Sequence, residues 1–237
     1  MRKICSSMNN GKTQTQKSVE SFEWQWVKKT VRDTRKNFYR RLFRDVGIYG
    51  CYLDNKVVGY FGSGGGRNIW AINELSNPQK IISVELAEGS ISYQKTYLSS
   101  EKIEIIQGDM ATVDVKVDFL YLVGVIQHTS SIEATLQNAL KCLKPDGELV
   151  VSFYLWTPTT VILEPLRQVM KRLPRKIAWA LSYLLAPIYM VRKAGRESGY
   201  MNAVHTAYDW NGSHQNQHYM TRGKIKRLFK KLVSSAL

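Results

Sequence analysis

Three glycines, spaced two residues apart, follow a short apolar run and precede a helix-forming stretch. Gly62, Gly64 and Gly66 lie in the segment VVGYFGSGGGRN. A tight turn from a strand into a helix needs backbone conformations that glycine adopts without strain. The missing side chains let the backbone approach a ligand, and the unpaired N–H groups of the helix N-terminus can donate to a polar or anionic group. The turn predicts a ligand site, although a plain structural loop is the alternative.

Two acidic residues follow the next apolar runs. Glu85 stands at the end of KIISVEL, about 20 residues after the glycine turn, where a carboxylate can accept hydrogen bonds from ribose hydroxyls. Asp109 follows KIEIIQ, in QGDM, where it can accept from the exocyclic amine of a purine while Met110 packs on the ring. All three features fall on the carboxyl edge of a predicted sheet. Together they predict a nucleoside-containing cofactor.

A nicotinamide dinucleotide is the first alternative for that cofactor. Its fingerprint, G-x-G-x-x-G, needs a glycine three positions after the second one, where helix and strand pack closely. Arg67 occupies this position, and the glycines run G-x-G-x-G instead. The spacing therefore favours S-adenosylmethionine (SAM) over NAD.

Strands and helices that could position these residues alternate along the middle of the chain. The pattern predicts an α/β fold of the Rossmann-like kind, with a mostly parallel sheet flanked by helices. The segment KPDG, Lys144–Gly147, predicts a turn. The predicted strands are Lys56–Phe61, Lys80–Leu86, Lys102–Gln107, Val117–Val123 and Glu148–Tyr154, and the predicted helices are Arg67–Leu75, Gly89–Leu98 and Ile132–Leu143.

The alternation stops after Trp156. Helices are predicted at Val161–Arg172 and Lys176–Lys193, followed by a polar loop and a basic helix from Thr221 to Leu232. We divide the chain into a disordered tail (residues 1–17), a SAM-binding domain with an N-terminal helix (residues 18–155) and a helical lid or acceptor segment (residues 156–237).

Taken together, the motifs resemble those of class I SAM-dependent methyltransferases. GSGGGRN resembles motif I (D-x-G-x-G-x-G), SVEL the acidic motif of the second strand, and QGDM the adenine-side motif. VDFLYLVGVIQHT and LKPDGELVVSFY resemble the block from the fourth to the fifth strand. ESFEWQW and DWNGSHQNQHYMTRGKIKRLF are similar to the two ends of a bacterial SFG-x-x-W subgroup associated with cell-surface glycan or small-molecule modification.

The resemblance implies a cofactor contact for each matching position. The glycine turn would contact the methionine part of SAM, the end of the second strand the ribose, and the end of the third strand the adenine. The residues after the fourth strand would also line the methionine part. The residues implied are Gly62, Ser63, Gly64 and Gly66, then Glu85 and Leu86, then Asp109 and Met110, and finally Val123 and Gly124.

The sequence departs from the family at two points. Tyr60 stands two residues before the first glycine, where the family has an acid that helps to hold the methionine ammonium group. The family's sheet also ends with a β-hairpin, which has no counterpart before Leu237. A truncated chain, a partner that completes the sheet and a degenerate fold are the open explanations.

Histidines supply the candidate catalytic groups. Methyl transfer from a sulfonium is an in-line displacement that depends mainly on positioning, and a base is needed when the acceptor is a hydroxyl. His128, after the fourth strand, is the first candidate for positioning the acceptor or for the base. His218 and Asp209 could form a lid over the acceptor, although a lone histidine there is more often a surface residue. No convincing set of metal ligands is present.

Charge is unevenly distributed along this basic chain, which has a net charge of +15. Between Asp45 and Glu164 lie 14 of the 19 acidic residues but only 8 of the 34 Lys and Arg residues. Basic flanks are typical of contact with RNA or an anionic membrane, and equally of solvated helix faces. The apolar stretch Ile177–Val191 is shorter than the roughly 20 residues that span a bilayer, so a buried helix, a lid or a helix on a membrane surface is expected.

The sequence indicates a cytoplasmic protein, with peripheral membrane contact as the variant. Its three cysteines are widely spaced, and no apolar run follows Arg2 and Lys3.

The leading hypothesis is a methyltransferase that O-methylates a small-molecule, glycan or lipid-linked acceptor. An RNA methyltransferase that uses the basic flanks is the second, although the Asn/Asp-Pro-Pro-aromatic motif for base amines is missing. A degenerate SAM-binding scaffold without catalysis is the third.

Overall fold

A five-stranded parallel sheet forms the centre of the protein. The computed structural model describes residues 36–98, 100–192, 200–211 and 218–234. The predicted tail and the ESFEWQW motif, with the rest of the chain up to residue 35, lie outside the described residues, as do residues 212–217 of the C-terminal motif. The strand order is β3-β2-β1-β4-β5. The strands are β1 (Val57–Phe61), β2 (Lys80–Glu85), β3 (Ile103–Gln107), β4 (Val117–Leu122) and β5 (Leu143–Val151).

Helices alternate with these strands, which confirms the Rossmann-like α/β class. In the described part of the chain, the β-hairpin that ends the family's sheet is not part of this one. The helices up to β5 are α1 (Lys36–Arg44), α2 (Arg67–Leu75), α3 (Glu88–Tyr97) and α4 (Ile132–Cys142), and a short 3-10 turn spans Ile126–His128.

The strand order reverses at β1. This strand pairs with β2 on one side and with β4 on the other, so the chain first runs outward to β3 and then returns. Connections that leave adjacent strands in opposite directions open a crevice at their carboxyl ends. The crevice of this sheet therefore lies where β1 ends at Phe61 and β4 ends at Leu122.

Alternating side chains of the central strands feed two cores. Tyr60 and Tyr121 face one side, where they belong to the same buried cluster as residues of α1 and α2. Phe61 and Leu122 face the other side, with residues of α4 and of the last helix. Because β1 and β4 are buried on both faces, they are nearly continuous apolar runs, as central parallel strands usually are.

The fifth strand begins earlier than the sequence predicts. Val117 pairs with Leu143 and Phe119 with Glu148, so the predicted KPDG turn lies within β5 as an irregularity. Asp146 has a φ of 61°, a left-handed conformation that Asp tolerates better than most residues. The KPDG residues therefore do form a turn-like irregularity, but it lies inside a strand instead of before one.

Residues after β5 form a helical unit and a small second sheet. In that sheet Tyr154 pairs with Tyr219, and Leu155 with Met220. None of the described helices is both long and apolar enough to cross a membrane. The elements are β6 (Tyr154–Leu155), α5 (Pro158–Met170), α6 (Arg175–Arg192), α7 (Tyr200–Asn211), β7 (Tyr219–Met220) and α8 (Arg222–Ser234).

Helix α7 corrects the predicted polar loop. Its buried residues Ala203, Val204, Ala207 and Tyr208 recur on one face, and they pack against α6 and the end of α5. This face consists of small and aromatic side chains among His, Asn and Gln residues. The helical repeat of apolar residues is therefore weak in the sequence, and the helix was not predicted. The division of the chain at residue 155 stays a prediction.

Candidate active site

The glycine turn lies at the crevice. Gly62, Gly64 and Gly66 have φ values of 67°, 53° and 76°, which favour glycine. A Cβ added to Gly62 would overlap the side chain of Val125, which follows β4. The turn after β1 and the loop after β4 are therefore in contact, and the contact requires a residue without a side chain.

Glu85 is held at the tip of β2 by backbone amides. Its Oε2 accepts from the N–H of Gly64 at 2.7 Å, and its Oε1 accepts from the N–H groups of Leu86 and Ala87 at 2.9 Å each. Hydrogen bonds that involve a charged carboxylate are stronger than neutral ones. The predicted ribose-binding acid is thus fixed beside the glycine turn.

A buried polar network, which the sequence did not reveal, supports the turn from below. Gln94 of α3 donates to Ser63 Oγ at 2.8 Å and to the carbonyl of Gly64 at 2.6 Å. Ser83 Oγ donates to Gln94 Oε1 and lies 2.7 Å from Ser63 Oγ. The hydroxyl of Ser63 is therefore engaged inside the protein, which leaves its backbone as the part that could contact a cofactor.

Tyr60, at the family's acid position, belongs to the core. Its ring stacks on Tyr121 with 5.0 Å between centroids, and its hydroxyl accepts a hydrogen bond from Asn68 Nδ2 at 2.6 Å. Burial raises the pKa of Tyr60 to about 12, so the phenol is neutral at physiological pH. The position therefore carries no charge with which to hold an ammonium group.

The loops after β3 and β4 bring further predicted residues to the same edge. Met110 Cε lies near Gly62, 3.0 Å from where a Cβ of that glycine would be. Asp109 is exposed, and its Oδ1 accepts from the N–H of Ala111 at 2.8 Å. Beyond β4, Val123 packs into the Tyr60 core, and Gly124 has a φ of 78°.

His128 is the buried histidine of this edge, with 7% of its surface exposed. Its ring meets Tyr154 edge-on, with 5.7 Å between centroids. His218 has an exposed side chain, and its N–H donates to the carbonyl of Gln127 at 2.9 Å. Asp209 lies on α7. The structure thus brings the backbone of the C-terminal segment to the loop after β4.

Tyr154 also lines a cavity of about 350 Å³. Its walls come from the chain after β5, helices α5 and α6, and β7, and its lining includes Arg167 and Tyr219. Its volume is at the lower end of the range for small-molecule sites. The sequence did not reveal this space, because its walls come from segments that are distant along the chain.

Comparisons with known proteins agree with this fold. Residues 60–151 match the family model described as a methyltransferase domain. The comparison with curated proteins gives no match. Among solved structures, similar chains include one from Haloferax volcanii, from a complex of the Trm112 methyltransferase activator with a methyltransferase (12% identity, 91% of this chain and 75% of that one covered, TM-score 0.57).

Two further solved structures cover nearly the whole chain. One is described as a SAM-dependent methyltransferase from Methanococcus maripaludis (12% identity, 98% and 88% covered, TM-score 0.53). The other is magnesium protoporphyrin IX methyltransferase from Synechocystis PCC 6803 with bound S-adenosylhomocysteine, SAH (11% identity, 94% and 78% covered, TM-score 0.50). At these identities the likeness concerns the fold.

Strand order, glycine turn and family match define the class. Residues 60–151 form a methyltransferase domain, and the fold around them is that of class I methyltransferases, whose cofactor is SAM. The predicted family, enzyme class and cofactor are confirmed. The narrower SFG-x-x-W subgroup and the individual cofactor contacts stay predictions.

Proposed function

We propose that the protein transfers the methyl group of SAM to an oxygen atom of a small-molecule, glycan or lipid-linked acceptor. The observation that carries this proposal is the contact between His128 and Tyr154. It joins the end of β4, where the methyl donor is expected, to the cavity of about 350 Å³. A candidate base and a candidate acceptor space are thereby adjacent.

The groups at the crevice fit SAM in three respects. The positive-φ glycines leave backbone within reach of the methionine part. The Glu85 carboxylate stands where the ribose hydroxyls can donate to it, and Met110 lies beside the turn to pack on adenine. Tyr60 does not fit the ammonium group as an acid would, so that group is expected to rely on backbone carbonyls at the ends of β1 and β4.

SAM supplies an activated methyl group as a sulfonium. The protein's part is to hold the acceptor oxygen in line with that methyl and to remove its proton. We assign proton removal to His128, because it is buried at the edge where β4 ends and contacts a wall of the cavity. His218 and Asp209 remain the candidates for closing the acceptor side.

A lipid-linked acceptor is favoured by one surface feature. Of the twelve large apolar side chains exposed in the described chain, ten lie between Trp156 and Met201. Val161, Ile162 and Val169 share one face of α5, and Ile177, Leu184 and Ile188 recur along α6. Exposed apolar area of this kind marks an interaction site.

Basic residues accompany this apolar surface. Arg172, Arg175 and Lys176 are exposed where α5 turns into α6. Apolar side chains beside Lys and Arg are what peripheral proteins present to anionic lipids. The acceptor segment is therefore suited to rest on an anionic membrane and to draw an acceptor from it.

The RNA methyltransferase hypothesis has its own support in α8. This helix buries Leu232 against the sheet core and exposes a row of basic residues to solvent. Binding of RNA through such a row would weaken steeply with salt. The exposed basic residues are Arg222, Lys224, Lys226, Arg227, Lys230 and Lys231.

The proposed function is tested by measuring SAH release from SAM with a panel of acceptors: hydroxylated aromatic acids, glycans, lipid-linked hydroxyl compounds and RNA. Transfer to an oxygen of the first three groups supports the proposal. Transfer to RNA alone supports the second hypothesis. SAH binding without turnover on any acceptor supports a scaffold.

A further inference from the structure

An incompletely paired arginine lines the cavity. Arg167 has 7% of its surface exposed, and its Nε and Nη2 donate to the two carboxylate oxygens of Glu164 at 2.7 Å each. The third nitrogen, Nη1, is buried and has no hydrogen-bond partner among the described residues. Buried polar groups are nearly always paired, so this nitrogen indicates a ligand group that completes it.

Charge near Arg167 favours an anion. Glu164 balances one positive charge, and the hydrogen bond from Arg167 lowers the pKa of that carboxyl. Lys171 is near enough to interact electrostatically with Arg167: burial first, and then the charge of Arg167, lower the pKa of Lys171. An anion placed at Arg167 would therefore have a second cation nearby.

The other walls suit a flat or cyclic body. Tyr154 and Tyr219 line the cavity with their ring centroids 6.0 Å apart. Leu163 adds apolar surface from α5. Aromatic walls gain most from contact with another ring, in offset or edge-on arrangements.

We propose that this cavity binds a cyclic acceptor through a carboxylate or phosphate group that pairs with Arg167 Nη1, with the ring against Tyr154 and Tyr219. The proposal rests on the proposed function in one respect: it takes the cavity as the acceptor site. The acceptor hydroxyl then lies toward Tyr154 and His128. The acceptor class narrows to hydroxylated cyclic acids or their phosphates.

The test is calorimetric titration, with and without SAH, using 4-hydroxybenzoate, phenyl phosphate and the neutral 4-hydroxybenzamide. We expect the anions to bind at least about tenfold more tightly than the amide, a difference of about 1.4 kcal/mol. The tighter of the two anions identifies the acidic group. Equal affinities for anion and amide, or no binding of any probe, would overturn the proposal.

Two variants keep this test separate from folding and from cofactor binding. The double variant Glu164→Gln and Arg167→Gln removes both charges of the ion pair, and it should lose the preference for anions while binding SAH normally. If it does not fold, Leu163→Trp fills the cavity instead and should abolish binding of all three probes. An anion preference that survives in these variants overturns the proposal. If the unaltered protein does not bind SAH, the proposed function is overturned instead.

Discussion

The carboxylate of Glu85 and the backbone N–H of Gly64 are joined by a hydrogen bond of 2.7 Å, which fastens the tip of β2 to the glycine turn after β1. Two further amides, of Leu86 and Ala87, donate to the same carboxylate. Glu85 therefore contributes to the stability of the fold even when no ligand is bound. A Glu85 variant must be tested for both protein stability and ligand affinity.

We expect Glu85→Ala to destabilise the protein by about 1–3 kcal/mol, because the part-buried amides lose their acceptor. Urea denaturation measures this change. The matched control is Glu88→Ala: Glu88 is exposed in the first turn of α3, where an acid contributes at most about 1 kcal/mol. Equal losses in both variants would contradict the role given to Glu85.

Substitution of Gly62 separates backbone strain from steric overlap. Gly62→Ala should cost stability and weaken SAH binding, because its Cβ would overlap Val125 at the crevice. Gly50→Ala is the control, since Gly50 has a similar φ of 58° with nothing within 4 Å of the added Cβ. The control should lose only the about 1–2 kcal/mol of a left-handed alanine. If SAH affinity fell equally in both, the turn would not be the binding element.

His128→Ala should lower kcat by about 10²–10⁴-fold once an acceptor is known, because it removes the proposed base. SAH affinity should stay unchanged. His218→Ala serves as the comparison, since its side chain is exposed. Steady-state kinetics of both variants decide the assignment: a large loss in His218→Ala with none in His128→Ala would reverse it.

Membrane contact is tested with vesicles of phosphatidylcholine with or without phosphatidylglycerol. We expect co-sedimentation with the anionic vesicles only, and less of it for Leu184→Gln and Ile162→Gln, whose side chains are 75% and 74% exposed. Tyr49→Gln is the control, because Tyr49 is 68% exposed but lies outside the apolar surface of α5 and α6. Equal retention of all three variants would argue against this surface.

The pH dependence of stability should contain a contribution from Glu148. Hydrogen bonds from Tyr52 and Lys56 lower the pKa of Glu148. Because its pKa is lower in the folded protein, the ionised Glu148 stabilises the fold at pH values above its unfolded pKa of about 4.3. This stabilisation is lost as the pH falls through the folded-state pKa. Unfolding free energy should therefore drop below about pH 5, and more gently in Glu148→Gln. Tyr52→Phe, which removes one of these hydrogen bonds, should make the drop gentler in the same way.

Features of short range were predictable from the sequence. The glycine spacing, Glu85 at a strand end and the strand–helix alternation each occupy a few neighbouring residues, so their physical requirements are visible as local patterns. The position of Met110 on the same edge as the glycine turn followed from the rule that parallel strands share a carboxyl edge. The family and its cofactor followed from the same motifs.

Features that depend on distant pairing were not predictable. Ser83 and Gln94 carry no local signal of the hydrogen bonds that support the glycine turn. Glu164 and Arg167 have the spacing of an ordinary surface ion pair, and only the packing of α6 and β7 shows that the arginine is buried. Helix α7 was missed because its buried face consists mainly of small residues.

The most direct test of the cofactor site is a calorimetric titration of SAH into the unaltered protein, Glu85→Ala and Glu88→Ala, corrected for the folded fraction. We predict micromolar binding to the unaltered protein, on the order of −8 kcal/mol. Binding should persist in Glu88→Ala and be lost in folded Glu85→Ala. Unchanged affinity in Glu85→Ala, or no binding to the unaltered protein, would contradict a cofactor held between the glycine turn and the end of β2.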